Sequence, residues 1–517
     1  MPSKFTRRDF LKAAATLSLA PLVGKLPVAL QQSQSQEQKL PNIIVVIFDA
    51  MSARHLSLYG YPRKTSPNLE RLAQRSTVYH AHHSAGNFTA PSTVSLFTGT
   101  YPWTHRVFSL GGMPRKDLVA KNWWPLLAND YHLSAFVQNM YADMMLYQLH
   151  ERLDSHLGPR SFGLGGKPFY DQFFTKDAYF GAKSFDQFVF DPKEKPGSLF
   201  LSVPNDLLRR AWEASVTNRL IKTYPDGVPS LDGTNVFFTI DQVVEGAKGY
   251  VSSRPAPFLT YLHFMPPHTP YRPSREFRGM FDDGWTPPNS KKHILADGIS
   301  RERLNQRRQE YDEFIANMDA EFGRFIDHFY ETGLSENTYL IVTADHGEMC
   351  EKGEQGHVTP LLFEPVIHIP LIIAAPGQRQ RQDIHTPTSN VDVLPTLMKI
   401  AGQSAPDTCE GTVLPGLGLG ERLRGLRSGE RSLFAVEAKR NSAHSPLQKF
   451  SVAMIRENYK LVRYKGYRNN ADLYEFYDLE NDPEEKINQY GPHPIIQELQ
   501  AEMEAKLKEV DQPYLRD

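Results

Sequence analysis

Cysteine is scarce, with two in 517 residues, Cys350 and Cys409. Two thiols cannot build the disulfide framework of a small secreted scaffold. Neither sits in a thiolate-ligand spacing, so a structural zinc module is excluded and both are expected to be unpaired. Charge of one sign is lacking too: 58 Lys and Arg stand against 59 Asp and Glu, a formal net charge of -1. That balance leaves no global basic surface for nucleic acid or an anionic membrane. Long apolar runs are missing. The N-terminal AAATLSLAPLVGKLPVAL, residues 13–30, is broken by Pro21, Lys25 and Pro27 and is too short and interrupted for a stable transmembrane anchor. No internal repeat is present. A chain this long supports a large core and about two domains.

TRRDFLK, residues 6–12, stands directly before that weakly apolar stretch and resembles a twin-arginine export signal, with Arg7 and Arg8 as the pair. QQSQSQEQ, residues 31–38, reads as a polar linker. Residues 1–38 are therefore expected to engage the twin-arginine export machinery and take a folded protein to the periplasm or the medium of a prokaryote.

The stretch NFTAPSTVSLFTGTYP, residues 87–102, presents hydroxyls at the start of a helix: Thr89, then Pro91 at an early helical position and Gly99 near the stop. A helix N-terminus offers amide hydrogens and a positive dipole end that favour phosphate or sulfate. Thr89 is then either a simple cap or a nucleophile beside an anion, and the residues around it decide. NIIVVIFDA, residues 42–50, is a continuous apolar run of the kind a parallel strand covered on both faces shows, and it ends in Asp49. TYLIVTADHGE, residues 338–348, repeats the pattern and ends in Asp345 and His346, with Gly347 expected to allow a sharp turn. His357 follows after a loop.

Elsewhere SPNLERLA, residues 66–73, reads as a capped helix and YHLSAFVQN, 131–139, as a strand. FLTYLHFMPPHTPY, 258–271, is a strand entering a Pro-rich loop, where His268 is preferred over His263 as an anion or leaving-group contact. Residues 306–331 show helical apolar spacing and read as a packing element. From about 150 to 250 the periodicity fades. The aromatics Phe162, Phe169, Tyr170, Phe173, Phe174, Tyr179 and Phe180 read there as a satellite core under long loops or a substrate-shaping insertion. PLIIAAPG is a further buried strand and VDVLPTLMKIAG a helix. FSVAMIRENYKLVRY and ADLYEFYDLENDPEEKIN read as antiparallel strands before a terminal helix at about 494–510.

Asp49, Thr89, Asp345 and His346 supply two carboxylates, a hydroxyl and an imidazole from three strand ends. That donor set suits a divalent ion of intermediate hardness, Mn²⁺ or Zn²⁺ before Ca²⁺. Coordination lowers a hydroxyl pKa and makes Thr89 a nucleophile at neutral pH.

At these residues the sequence resembles the sulfatase branch of the alkaline phosphatase superfamily. PNIIVVIFDA, TAPSTVSLFTGTYPWTH, HFMPPHTPY, TADHGE, HIPLIIAAPG, VDVLPTLMKIAG and the C-terminal NYKLVRY and LYEFYDLENDPEEKIN carry the resemblance, in family order. It implies an α/β fold with a mainly parallel sheet sandwiched by helices, plus a smaller C-terminal antiparallel sheet with a helix. The catalytic domain would span 40–410, with the insertion at about 150–250, and the C-terminal subdomain 427–517. The departures from the family matter for function. Thr89 stands where a sulfatase has the Cys or Ser oxidised to formylglycine, Thr93 where it has Arg, and Ala50 where a second acid follows the first. The Lys-Trp-His segment is absent from FVQNMYADMM, and VTP follows His357 where a Lys is expected. What remains resembles the lipoteichoic acid synthases and phosphoethanolamine transferases, which use a catalytic Thr on a metal. That implies Asp49, Thr89, Asp345 and His346 as the metal set, and His268 and His357 as histidines that contact substrate. The expected substrate is an anionic ester, phosphoester or phosphodiester first. A sulfate-ester hydrolase without formylglycine and an inactive protein binding an anionic glycan or lipid are the alternatives.

Overall fold

The apolar run after Pro41 becomes the middle of an eight-stranded sheet. A computed structural model of the chain describes residues 40–164, 211, 213–231, 236–419, 431–467 and 472–515. The chain divides into Met1–Leu40 and Pro41–Asp517, and everything below concerns the second unit. The expected export signal with Arg7 and Arg8, its linker, and the aromatics from Phe169 to Phe180 lie outside the described residues.

The sheet strands are β1 (Asn42–Phe48), β2 (Thr77–Tyr79), β3 (His132–Val137), β4 (Ser155–Leu157), β5 (Phe258–Phe264), β6 (Thr338–Ala344), β7 (Leu371–Ala374) and β8 (Gln382–Ile384). In space they run β8, β2, β7, β6, β1, β5, β3, β4. Only β7 runs against the rest. All seven residues of β1 are buried, because helices cover both faces; hence its unbroken apolar sequence. On one face Ile44, Val46 and Phe48 join a core built with α1 (Pro67–Ala73), α4 (Ile240–Ser252) and α5 (Arg301–Glu331). On the other, Phe97 of α2 (Thr89–Thr98) packs on Trp123, Trp124 and Tyr261, near α3 (Met140–Leu149) and α6 (Val393–Ile400).

A four-stranded antiparallel sheet follows: β9 (Leu433–Glu437), β10 (Phe450–Arg456), β11 (Tyr459–Lys465) and β12 (Leu473–Asp478). Its partner α7 (Pro494–Asp511) buries Ile496, Leu499, Met503 and Leu507. Lys460 is fully buried between Glu364 (2.9 Å) and Glu485 (2.7 Å), so its charge is matched inside the protein. The α/β fold with its smaller C-terminal sheet and helix is as expected, and both cysteines are unpaired.

Three readings need correction. The stretch called aperiodic up to 250 contains α4, an amphipathic helix packed on α5. Nearby, Val216, Tyr224, Val228 and Phe237 form a small satellite core. Ser66 precedes α1 but does not cap it, since its Oγ is engaged by Ser57 and the Leu58 amide. The free amides of α1 are taken by Asp319 of α5, whose carboxylate accepts from Asn68 N (2.8 Å), Leu69 N (2.9 Å) and Asn68 Nδ2 (3.0 Å). Thus α5 is more than a packing element. Asp319→Ala strips three acceptor contacts from a buried helix end and is expected to lower stability by about 2 to 4 kcal/mol, read as the urea midpoint.

Candidate active site

Register brings the acids together. Phe48 of β1 lies beside Ala344 of β6, and Ile47 beside His263 of β5. One residue further on, Asp49 and Asp345 leave adjacent strand ends side by side, at the carboxyl edge where α/β sheets place their chemistry. Ala50 then turns the chain with φ of 59°, a left-handed conformation that costs a non-glycine residue about 1 kcal/mol. Its amide donates to Asp345 Oδ1 (3.2 Å) and its carbonyl accepts from the Tyr311 hydroxyl (2.5 Å), which itself accepts from Ser52 N (2.9 Å). The second role of α5 is to hold this turn.

Thr89 is the first residue of α2, and Phe88 occupies the cap position without a side-chain bond. The simple-cap reading of Thr89 therefore fails. The residue is 3% exposed, and its Oγ1 lies 3.3 Å from His346 Nε2 and 3.4 Å from Asn139 Nδ2. His346 Nδ1–H donates to Gly347 O (3.0 Å). That bond fixes the tautomer and leaves the Nε2 lone pair facing Thr89, Asp49 Oδ1 (3.6 Å) and Asp345 Oδ2 (3.4 Å).

Both of those carboxylate oxygens are buried and have no hydrogen-bond partner among the described residues. A lone pair aimed at two orphaned anionic oxygens is unfavourable unless a cation sits among them. Ligand atoms of Asp49, His263 and Asp345 also lie within 4.8 Å of one another. The residues present therefore fit a divalent ion, as members of the sulfatase superfamily bind one.

The electrostatics agree. Burial pushes the Asp345 carboxyl up, and the neighbouring Asp49 charge adds to that. For Asp49 burial acts in the same sense but is outweighed by His268, His263 and His346, which hold it well below the usual carboxylate range. Burial lowers His346, against the pull of Asp345.

Of the residues singled out from sequence, Asp49, Thr89, Asp345 and His346 converge. The His357 ring lies tilted beside that of His346, centroids 4.2 Å apart, and the His268 ring centroid is 5.1 Å from that of His357. Three further residues join them. His263, ranked behind His268 from sequence, is fully buried with Nε2 3.2 Å from Asp49 Oδ2. Its Nδ1 lies 2.8 Å from the Tyr261 hydroxyl, so the ring is held at both nitrogens. Glu348 accepts from His357 Nδ1 (2.9 Å) and orients that ring. Asn139, following β3 where the family's Lys-Trp-His segment is missing, donates to Asp49 Oδ2 while its Oδ1 caps α3 through Tyr141 N (2.8 Å) and Ala142 N (3.2 Å). An Asn at the end of strand sequence is the usual mark of a helix cap, so the pattern signalled only half of its role. Asn139→Asp keeps the cap but sets a like charge against Asp49. Steady-state kinetics are expected to show about a 100-fold lower kcat/KM with unchanged helix content.

Comparison with known proteins places this geometry. The sulfatase family model matches residues 41–403, and a model described as N-sulphoglucosamine sulphohydrolase, C-terminal, matches residues 353–513. The choline-sulfatase of Rhizobium meliloti (strain 1021) is 24% identical over 467 residues, 87% of this chain and 82% of that protein. An ulvan-active sulfatase of Formosa agariphila is 22% identical, covering 92% of this chain and 81% of its own length. Among solved structures, a phosphonate monoester hydrolase of Agrobacterium radiobacter superposes with a TM-score of 0.64 at 19% identity, over 92% of this chain and 96% of that one. A protein solved with its substrate D-glucosamine-2-N,6-O-disulfate gives 0.63 at 18% identity, over 92% and 98%. Since the family's own model spans residues 41–403 and the alkaline-phosphatase-like fold carries its acids to one strand edge, this chain belongs to the sulfatase family of hydrolases.

Proposed function

We propose that the chain is an exported, metal-dependent hydrolase of phosphoesters or phosphodiesters, able in principle to transfer the phosphoryl group to an acceptor hydroxyl, with Thr89 as nucleophile. The observation that carries this reading is the placement of Thr89 Oγ1, at a helix N-terminus and 3.3 Å from His346 Nε2, beside two orphaned carboxylate oxygens. Threonine cannot give the aldehyde on which formylglycine sulfatases depend. A divalent ion held by Asp49, Asp345, His346 and Thr89 would lower the Thr89 hydroxyl pKa and offset charge on the attacked group; Mn²⁺ or Zn²⁺ stands ahead of Ca²⁺.

The chain's own residues do the rest. Thr89 Oγ bonds to phosphorus as the bond to the leaving oxygen breaks, and that oxygen takes a proton from His357 or His268. Glu348 holds the His357 ring for this transfer. In the second half a water or acceptor hydroxyl gives its proton to the same histidine and bonds to phosphorus, and Thr89 Oγ leaves. Asn139 and His263 fix the Asp49 carboxylate from outside, and the amides at the start of α2 lie near the charge of the transferred group.

A sulfate-ester hydrolase is the second reading, favoured by the sulfatase names of the relatives. We further assign residues 1–38 to twin-arginine export, 40–410 to the catalytic domain and 427–517 to the C-terminal subdomain. Elemental analysis of the exported protein, with parallel assays on chromogenic phosphomonoester, phosphodiester and sulfate ester, tests the proposal. Bound Mn or Zn with phosphodiester turnover is the expected result. Calcium with sulfate-ester turnover alone would establish the second reading in its place.

A further inference from the structure

A separate cavity of about 290 Å³ lies where the loop after β1, the loop before α5, the first turns of α5 and the hairpin after His346 meet. None of Asp49, Thr89, His263, Asp345, His346 and His357 lines it. On α5 the lining residues Arg301, Leu304, Asn305 and Arg308 recur at three- and four-residue spacing, so one helix face is turned toward it. This face is absent from the chemistry assigned above.

The lining is cationic. Five basic residues, Arg54, Lys292, Arg301, Arg308 and Lys352, stand against two acids, Glu351 and Glu484. Glu351 is committed to Arg308 at 2.8 Å, and Glu484 to Lys486 at 2.5 Å. Lys352 Nζ donates to the backbone carbonyls of Glu484 (3.0 Å) and Glu485 (2.5 Å), which carry no formal charge. His55 uses Nδ1 on Asp312 and accepts from Arg308 Nη1 at Nε2. Asp312 in turn pairs with Arg63, and its charge also reaches Arg308.

Arg308 is 4% exposed, yet its Nε has no hydrogen-bond partner among the described residues. A buried guanidinium with an unused donor is costly unless something else accepts from it. The lining also has an aromatic corner: Tyr61 and Trp285 meet edge to face at 5.6 Å, beside Pro287 and Pro288, with the Arg63 guanidinium 5.0 Å from the Trp285 ring centroid. An aromatic wall facing guanidinium and ammonium groups is the arrangement that takes a ring with an anionic substituent.

We propose that this cavity is a second ligand site, for a small organic anion with a flat or ring-shaped body and one sulfonate, sulfate, phosphate or carboxylate group. The anion meets Arg308, Arg54 and Lys292, and the ring packs against Trp285 with Tyr61 at its edge.

The test uses 2-naphthalenesulfonate, which has no ester to cleave, titrated into the full chain by calorimetry and tryptophan fluorescence. Of the five tryptophans, Trp103, Trp123 and Trp124 are fully buried and Trp212 lies outside the described residues, so the comparison with Trp285→Phe isolates the Trp285 signal. Saturable binding is expected, with quenching that disappears in Trp285→Phe. The double variant Arg54→Ala, Lys292→Ala removes half-buried and exposed cations without disturbing the core, and should raise Kd at least tenfold at unchanged Tm and turnover. Thr89→Ala should leave Kd within twofold, which keeps this site's fate separate from that of the nucleophile. Uncharged 2-naphthamide should not saturate. Equal binding of the amide, full quenching in Trp285→Phe, or a Kd within twofold in the double variant would each overturn the site.

Discussion

Thr89→Ala is expected to abolish turnover and leave the fold intact. Thr89 is not the cap of α2, since Phe88 holds that position, and among the described residues its hydroxyl bonds to His346 and Asn139. Removing it therefore costs the helix little, and stability should change by less than about 1 kcal/mol. Removal of a covalent nucleophile typically costs about 10⁴-fold or more in kcat. Thr89→Ser retains a hydroxyl and should recover part of the rate. In wild type quenched with acid during turnover, mass spectrometry of the peptide holding Thr89 should reveal a phosphoryl adduct, absent from the alanine variant. Full residual activity in Thr89→Ala would end the nucleophile assignment, whatever the metal.

Gly347→Ala carries the second large effect, and for a reason the sequence misassigns. The sequence reading invoked glycine's backbone freedom at a sharp turn beside Asp345 and His346. Yet Gly347 is not among the residues with positive φ, so alanine could adopt its conformation. What excludes a side chain is space: a Cβ there would sit 2.1 Å from the Pro365 carbonyl oxygen and 3.1 Å from Ser52 Cβ. The glycine is pinned in that approach, its amide donating to Val366 O at 2.7 Å. Its carbonyl also receives the His346 Nδ1–H bond. A methyl group must push this strand end away, and the His346 ring moves with it. A loss of about 3 kcal/mol or more in stability is expected, together with substoichiometric metal. Thermal denaturation and elemental analysis of the same preparation check both. A variant as stable as wild type with full metal would show that the Glu364–Ile367 turn yields.

Much of this was legible in the residues. A run such as NIIVVIF names a strand buried on both faces, because only a doubly covered strand can bury every residue. An acid directly after such a run falls at the carboxyl edge of the sheet. With Asp49 and Asp345 each following one, two carboxylates at one edge could be anticipated, and Thr89, at a helix start between them in sequence, joined them.

Other parts had no local signal. His263 lies inside an apolar strand, where its partner is chosen by lateral register with Ile47, and register is a property of the sheet. Asn139 reads as a cap because its cap bonds reach two and three residues ahead, while the Asp49 it also serves is 90 positions away. The cationic cavity draws its walls from segments between Arg54 and Glu484, with no motif in any one of them.

The sequence by itself determined the long buried strands such as Asn42–Phe48 and Thr338–Ala344, the helix that begins at Thr89, and the acids that directly follow those strands, because these follow from periodicity and short-range chemistry. Only the tertiary structure decided which oxygens are left without partners, which histidine faces Asp49, and that Gly347 is required by a carbonyl from another segment. Those are contacts between residues far apart in the chain, and their energies depend on distances and burial that exist only once the sheet has formed.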